Sequence, residues 1–191
     1  YMAYAYLQLG QERNAEKVLA DIRAMTKLEG EGLASAFALA AIPARFAIER
    51  SRWSEAAKLN LQPDEVDFGW AQFPHAQAIN VFARGLGAAR SGAPEQARNE
   101  LVKLARLKQD MVDGKMRYWA DQADIQIKVI EAWTLRAEGK ADQGLALMKS
   151  AAEHEDGTEK SAVTPGPIKP ARELLGEMLL EAGDATGALA A

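Results

Sequence analysis

The sequence predicts an all-α protein, an α-solenoid in which about five helical hairpins stack into a right-handed superhelix. Hydrophobic residues make up 48 % of the 191 residues, and alanine supplies much of that share. Small residues at this density favour closely packed helices over a sheet with a β-branched core. Five segments also share one pattern: a helical stretch, a small turn residue, and a second helix with a small residue near its start.

Three columns of small residues recur in phase along the chain. The first column is Ala15, Ala56, Ala97, Gly144 and Ala188; five residues earlier stand Gly10, Ser51, Gly92, Gly139 and Gly183; seven residues earlier again stand Ala3, Ala44, Gly85, Ala132 and Gly176. Glycine in the middle column is typical of a helix C-terminus, because glycine adopts the left-handed conformation without a Cβ clash. The outer columns allow the two helices of a hairpin to approach closely.

These columns resemble those of the tetratricopeptide repeat over nearly the full length of the chain. The chain departs from that pattern in its period, which is 41 to 47 residues instead of about 34, and in lacking a tryptophan near each repeat start. The resemblance implies one repeat domain, with repeats at about residues 1–27, 33–62, 73–112, 116–155 and 168–191. Since the helical pattern is already under way at both termini, we expect the chain to be a fragment of a longer protein.

The first repeat matches the helical-hairpin pattern better than the second. In the first, Ala15, Leu19 and Ile22 fall on one helical stripe, as an amphipathic helix requires. In the second, the segment WSEAAKLNLQP predicts a short second helix that ends before Pro63. Pro43 predicts a kink or a break in the first helix of that repeat, because proline cannot donate the helical hydrogen bond.

The later repeats are more regular. Pro94 stands in a first helical turn, where proline is tolerated, and it precedes an apolar stripe that includes Leu101 and Leu104. The segments KADQGLALMKSAA and PARELLGEMLLEAG follow the same pattern. Linkers are predicted at residues 28–32, 61–73 and 155–167, and long loops of this kind are often functional.

Several blocks resemble one group of larger bacterial tetratricopeptide-repeat proteins. They are AYAYLQLGQERNAEKVLADI, ARGLGAARSGAPEQAR and EDGTEKSAVTPGPIKPARELLGEMLLEAGDATGALA. The chain departs from the group at Ser161-Ala162, where a His-Pro pair is usual. Members often begin with a secretion signal, so the resemblance implies a periplasmic or secreted location, with a cytoplasmic one left open. No activity is established for the group.

Composition excludes several classes of function. The net charge is −4 at pH 7, so no basic surface for nucleic acid is expected. The chain has no cysteine, which removes disulfides, thiol catalysis and cysteine-bound metals. No apolar run approaches the length of about 20 residues that spans a membrane.

The sequence offers no catalytic or metal-binding constellation. No metalloprotease, phosphate-loop, dinucleotide or nucleophile-elbow motif is present. His75 is expected in a capping or surface role at a helix start. His154 lies among acidic neighbours that diverge around a helix and so cannot converge on one metal. We therefore expect no enzymatic activity, no metal and no cofactor.

The most informative side chains lie on the first helices, which line the inner wall of stacked hairpins. The resemblance to tetratricopeptide repeats places nine residues on or near that wall. They are Tyr4, Gln8, Arg45, Phe82, Arg90, Trp133, Arg136, Glu173 and Glu177. Aromatic and arginine side chains dominate the energetics of protein interfaces, although Phe82 and Trp133 could equally fill the space between repeats.

The sequence thus predicts a scaffold that binds a protein or peptide. One alternative is a small-ligand-binding or enzyme-associated domain, in which the 155–167 loop closes a site on the concave face. Another is a structural domain that packs on a preceding part of the protein. An open groove at Phe82 and Trp133 would favour peptide binding, and a loop-plugged pocket would favour a small ligand.

Overall fold

A computed structural model describes residues 1–25, 32–64, 67–158 and 167–191. Across these residues the chain is helical and forms no β-strand. A 3₁₀ turn at Trp70–Gln72 precedes the fifth α-helix. The α-helices are α1 (Met2–Gln8), α2 (Glu12–Arg23), α3 (Leu33–Glu49), α4 (Trp53–Ala56), α5 (Pro74–Arg90), α6 (Pro94–Asp113), α7 (Arg117–Ala137), α8 (Ala141–Asp156), α9 (Ala171–Glu181) and α10 (Ala185–Ala190).

The middle column of small residues marks the end of each first helix. All five members have positive φ, which lies between +51° and +86°, and each stands two residues after the helix ends. The predicted left-handed conformation of Gly92, Gly139 and Gly183 is therefore confirmed. Ser51 adopts the same conformation with φ 51°, although a Cβ atom makes it less favourable there.

The helices pack on their neighbours along the chain. Each first helix contacts its own second helix and the next first helix, and each second helix contacts the first helix that follows it. Helix α4 is a single turn, as the pattern of the second repeat predicts. These contacts bury one continuous apolar core that extends from α3 to α9.

The outer columns of small residues lie where helices touch. A Cβ atom on Gly144 of α8 would lie 2.6 Å from the carbonyl oxygen of Ala132 in α7. A Cβ on Gly176 would lie 3.3 Å from the Ala188 carbonyl oxygen, and one on Gly85 would lie 2.7 Å from Cδ1 of Ile130. The predicted placement of Gly85 and Gly176 at helix contacts is confirmed.

Two local predictions are corrected by the fold. Helix α3 is not broken at Pro43, because proline removes only the bond to the Leu39 carbonyl and the buried side chains around it hold the helix together. His75 is not a surface or capping residue: it is 2 % exposed and lies 4.9 Å from Trp119, ring centroid to ring centroid.

Parts of the predicted linkers fall outside the described residues, namely 28–31, 65–66 and 159–166. Within the 61–73 linker, Phe68 and Trp70 are buried. The indole N–H of Trp70 donates a hydrogen bond of 2.7 Å to the carbonyl oxygen of Pro63. This linker is thus part of the hydrophobic core, because its aromatic residues fill the space beside the one-turn helix α4.

Candidate functional site

The predicted contact residues lie on the first helices, and most of them meet one another. Arg45 stacks on Tyr4, with Cζ 4.9 Å from the ring centroid. Gln8 is exposed, and Phe82 is buried with 2 % of its surface accessible. The remaining five are Arg90, Trp133, Arg136, Glu173 and Glu177. All but Glu173 take part in ion pairs or ring contacts between hairpins, and Glu173 pairs with Lys169, four residues earlier.

Arg90 joins the second, third, fourth and fifth hairpins. Its guanidinium donates to Glu177 and to Glu181, each at 2.6 Å. Its Cζ atom lies 3.8 Å from the ring centroid of Trp133 and 4.2 Å from that of Trp53. A cation between two aromatic faces, with both arms on carboxylates, is well stabilised by cation–π attraction and charge-assisted hydrogen bonds.

Trp133 and Phe82 are enclosed by their own chain. Trp133 is 3 % exposed, and its indole N–H has no hydrogen-bond partner among the described residues. Arg136 lies on the same helix face, with Cζ 5.9 Å from the Trp133 centroid, and pairs with Glu181 at 3.6 Å. The structure therefore presents no open groove lined by Phe82 and Trp133 in its described part.

A segment just before α9 crosses to the second hairpin. We call residues Pro167, Ile168 and Lys169 the strap. Arg45 donates from Nη1 to the carbonyl oxygen of Ile168 at 2.8 Å and from Nη2 to that of Pro167 at 3.0 Å. Lys169 pairs with Glu173 at 3.1 Å and with Glu177. The strap is thus held at both ends by charged side chains.

Arg45 and Glu49, two side chains of opposite charge, lie together where the strap meets α3. The carboxylate of Glu49 lies 3.7 Å from Nη1 of Arg45. Burial raises the pKa of Glu49 above its usual range, and the negative charge of Glu173 raises it further. Burial also lowers the pKa of Arg45. Most of these ionic groups thus have partners within the chain, and they hold α3, α5 and α9 together.

An apolar pocket of about 260 Å³ opens between α1 and α3. Its lining is mostly apolar, so it suits a hydrophobic group. Apart from Arg45 at one end, its walls carry no charge. The walls are formed by Tyr1, Ala3, Tyr4, Leu33, Ala34, Phe37, Ala38, Ala41, Ile42 and Trp119. Phe37 and Trp119 pack together with ring centroids 5.8 Å apart.

A second, much smaller void of about 20 Å³ lies on the other side of the Phe37–Trp119 pair. The strap residues Pro167 and Ile168 form one wall, and Gln122 and Gln126 of α7 form another. Oε1 of Gln126 is inaccessible to solvent and has no hydrogen-bond partner among the described residues. A buried acceptor without a partner is uncommon in proteins.

His75 packs against Trp119, one of the aromatic residues that line the apolar pocket. Its ring lies between Trp119, at 4.9 Å, and Phe73, at 6.2 Å. Neither ring nitrogen makes a hydrogen bond of good geometry to a described residue. Burial lowers the pKa of His75 below its usual value, and a backbone contact with Leu33 partly opposes that shift. Burial therefore favours the neutral imidazole.

Sequence reasoning missed most of the pocket. Phe37 and Trp119 stand near the starts of α3 and α7, ahead of the columns of small residues. One feature of the sequence could have indicated the void beside the strap: Gln122 and Gln126 lie one turn apart on α7, so both amides share a helix face. The strap carried no local signal, because its partner Arg45 lies more than 120 residues earlier in the chain.

Comparison with known proteins identifies no relative. No protein-family model matches the chain, and neither a curated protein nor a solved structure matches it significantly. None of the described helices is both long enough and apolar enough to cross a membrane. No group of three or more potential metal ligands occurs in the described part of the chain.

Proposed function

We propose that this chain is a non-enzymatic scaffold of the tetratricopeptide type, an α-solenoid of five hairpins that binds a protein or peptide. The observation that carries the proposal is the apolar pocket between α1 and α3. Its volume of about 260 Å³ suits one bulky hydrophobic side chain. Pockets that receive such an anchor contribute much of the affinity of a protein interface.

The solenoid part of the proposal rests on how the hairpins repeat. The left-handed residues recur at one phase, and every pair of neighbouring first helices is in contact. Stacking of this kind produces extended curved surfaces that are used for binding. Tyr4 and Arg45 border the pocket, so two of the predicted contact residues would meet the partner directly.

The chemistry of the pocket favours a neutral, hydrophobic anchor. Four aromatic residues, Tyr1, Tyr4, Phe37 and Trp119, line it, and aromatic walls bind aromatic or aliphatic groups well. No acidic side chain lines it, so a cationic anchor would have no counter-charge. The guanidinium of Arg45 already donates to two carbonyl oxygens of the strap, so an anionic anchor would compete with those bonds.

Selection from a library of random 12-residue peptides tests the proposal. A synthetic copy of an enriched peptide is titrated by fluorescence anisotropy into the wild type and into Ala38→Trp, which fills the pocket. Ala20→Trp, on the exposed face of α2, is the matched control. We expect Ala38→Trp to weaken binding by at least about tenfold, since an interface anchor contributes about 1–2 kcal/mol or more, and Ala20→Trp to bind as the wild type.

The proposal fails if no peptide is enriched above background, or if Ala38→Trp binds as tightly as the wild type while its circular dichroism melt shows a folded protein. The pocket also has a size that suits a small apolar ligand, which is the main alternative. The loop invoked for that alternative, residues 155–167, lies largely outside the described residues. Binding of a small apolar dye, lost in Ala38→Trp, without any peptide binding would favour this alternative.

A further inference from the structure

The strap, whose residues form bends and no regular secondary structure, lies beside the apolar pocket. Phe37 and Trp119 wall both the pocket and the void beneath the strap. Arg45 lines the pocket and also holds the strap carbonyl oxygens. The pocket and the strap therefore lie on opposite sides of the Phe37–Trp119 ring pair and share these two residues as a wall.

The strap is well bonded on its α3 side, whereas one buried polar atom on its α7 side has no partner. Ile168 is 3 % exposed and packs in the apolar core. Its carbonyl oxygen and that of Pro167 both accept hydrogen bonds from Arg45, on the α3 side. On the α7 side, Oε1 of Gln126 is buried without a hydrogen-bond partner among the described residues, and Gln122 lines the same void.

A buried acceptor without a partner makes the closed arrangement less favourable than one in which it is bonded. A glutamine amide carries a donor and an acceptor, as a peptide unit does. Two such amides one helical turn apart can pair with the main chain of an extended segment. Proline at position 167 cannot supply the N–H that such pairing needs.

We propose that the strap is a built-in competitor that occupies half of a longer peptide groove. The partner is an extended peptide with one bulky hydrophobic side chain. That side chain enters the apolar pocket, and the adjoining main chain displaces Pro167 and Ile168 and pairs with the amides of Gln122 and Gln126. This inference rests on the proposed peptide-binding function and adds the identity of the second half of the site.

A competing segment lowers the apparent affinity by the fraction of molecules in which the groove is free. Ile168→Ala weakens the strap by removing its buried side chain. With the peptide obtained from the library, this variant should bind about threefold to tenfold more tightly than the wild type. Ile127→Ala, a half-buried isoleucine of α7 outside both cavities, is the matched control and should leave the affinity unchanged.

The absence of cysteine from the sequence allows a direct test of strap movement. In Ile168→Cys, the single thiol is buried and should react slowly with iodoacetamide. Saturating peptide should accelerate that reaction at least about fivefold, because displacement exposes residue 168. Leu189→Cys, at a position that is 92 % exposed, should react rapidly with or without the peptide.

The outcomes separate the two proposals. If the peptide binds, Ala38→Trp abolishes binding, and the thiol of Ile168→Cys reacts no faster in the complex, then the pocket is the site and the strap inference is wrong. Unchanged or weaker binding by folded Ile168→Ala leads to the same conclusion. If no peptide binds to the wild type or to Ile168→Ala, the proposed function itself fails.

Discussion

Replacing Trp133 with alanine should unfold much of the protein at temperatures where the wild type is stable. Trp133 is 3 % exposed, and the guanidinium carbon of Arg90 lies 3.8 Å from its ring centroid. Loss of a buried tryptophan lowers the free energy of unfolding by about 3–5 kcal/mol. Removing the ring also deprives the nearly buried Arg90 of one of its two aromatic partners.

For a domain of this size each kcal/mol corresponds to about 2–4 °C in Tm. Trp133→Ala should therefore melt at least about 6 °C below the wild type when followed by circular dichroism. Trp133→Phe is the matched control: it keeps an aromatic face and breaks no hydrogen bond, because the indole N–H has none among the described residues. Its loss should be less than half as large. A melt of Trp133→Ala within about 2 °C of the wild type would refute the assignment of Trp133 to the core.

Three further predictions concern backbone contacts and pH. Gly144→Ala should lower the free energy of unfolding by about 1–3 kcal/mol, because its Cβ would lie 2.6 Å from the Ala132 carbonyl oxygen. Gly139→Ala should lower it by about 1 kcal/mol through strain alone, since φ is +80° and no atom lies within 4 Å of the added Cβ; urea unfolding measures both. Because burial lowers the pKa of His75, the folded state binds fewer protons than the unfolded state, and stability should fall as the pH drops from about 7 to about 5. His75→Phe should remove that part of the pH dependence in urea titrations.

Each of these predictions has an internal control. Gly157→Ala places its Cβ at an ordinary 3.6 Å from the nearest carbonyl oxygen with a right-handed backbone, so it should be close to neutral. Gly139→Asn should cost less than Gly139→Ala, because asparagine tolerates positive φ better. The wild type titrated over the same pH range is the reference for His75→Phe. Equal effects of Gly144→Ala and Gly157→Ala, or a pH profile unchanged by His75→Phe, would contradict these interpretations.

The hairpins could be read from the sequence because their signals are local. Each first helix ends at a left-handed residue such as Gly139, and a small residue such as Gly144 lets the second helix pack closely on the first. Both residues lie within about a dozen positions of the helix contact that they determine. Such features depend on backbone sterics and close approach, which one stretch of sequence determines.

The contacts between distant hairpins could not be read in this way. Arg90 meets Glu177 from a position 87 residues earlier, and Arg45 meets Ile168 across 123 residues. Those pairings depend on how far each hairpin rotates relative to the last, which is the sum of many small packing differences. For the same reason the sequence left open whether Phe82 and Trp133 line an open wall or fill the space between hairpins. Both are buried, and the apolar pocket lies instead beside Phe37 and Trp119.

The most direct test of the account is to map where a bound peptide touches the 20.7 kDa chain. Peptide from the library is titrated into uniformly ¹⁵N-labelled protein, and amide and indole shifts are followed by heteronuclear NMR. We predict that the largest changes occur at Tyr4, Phe37, Ala38 and the indole of Trp119, with further changes at the strap. Changes confined to the outer faces of α2, α6 and α8, with the Trp119 indole unmoved at saturation, would contradict the assignment of the binding site.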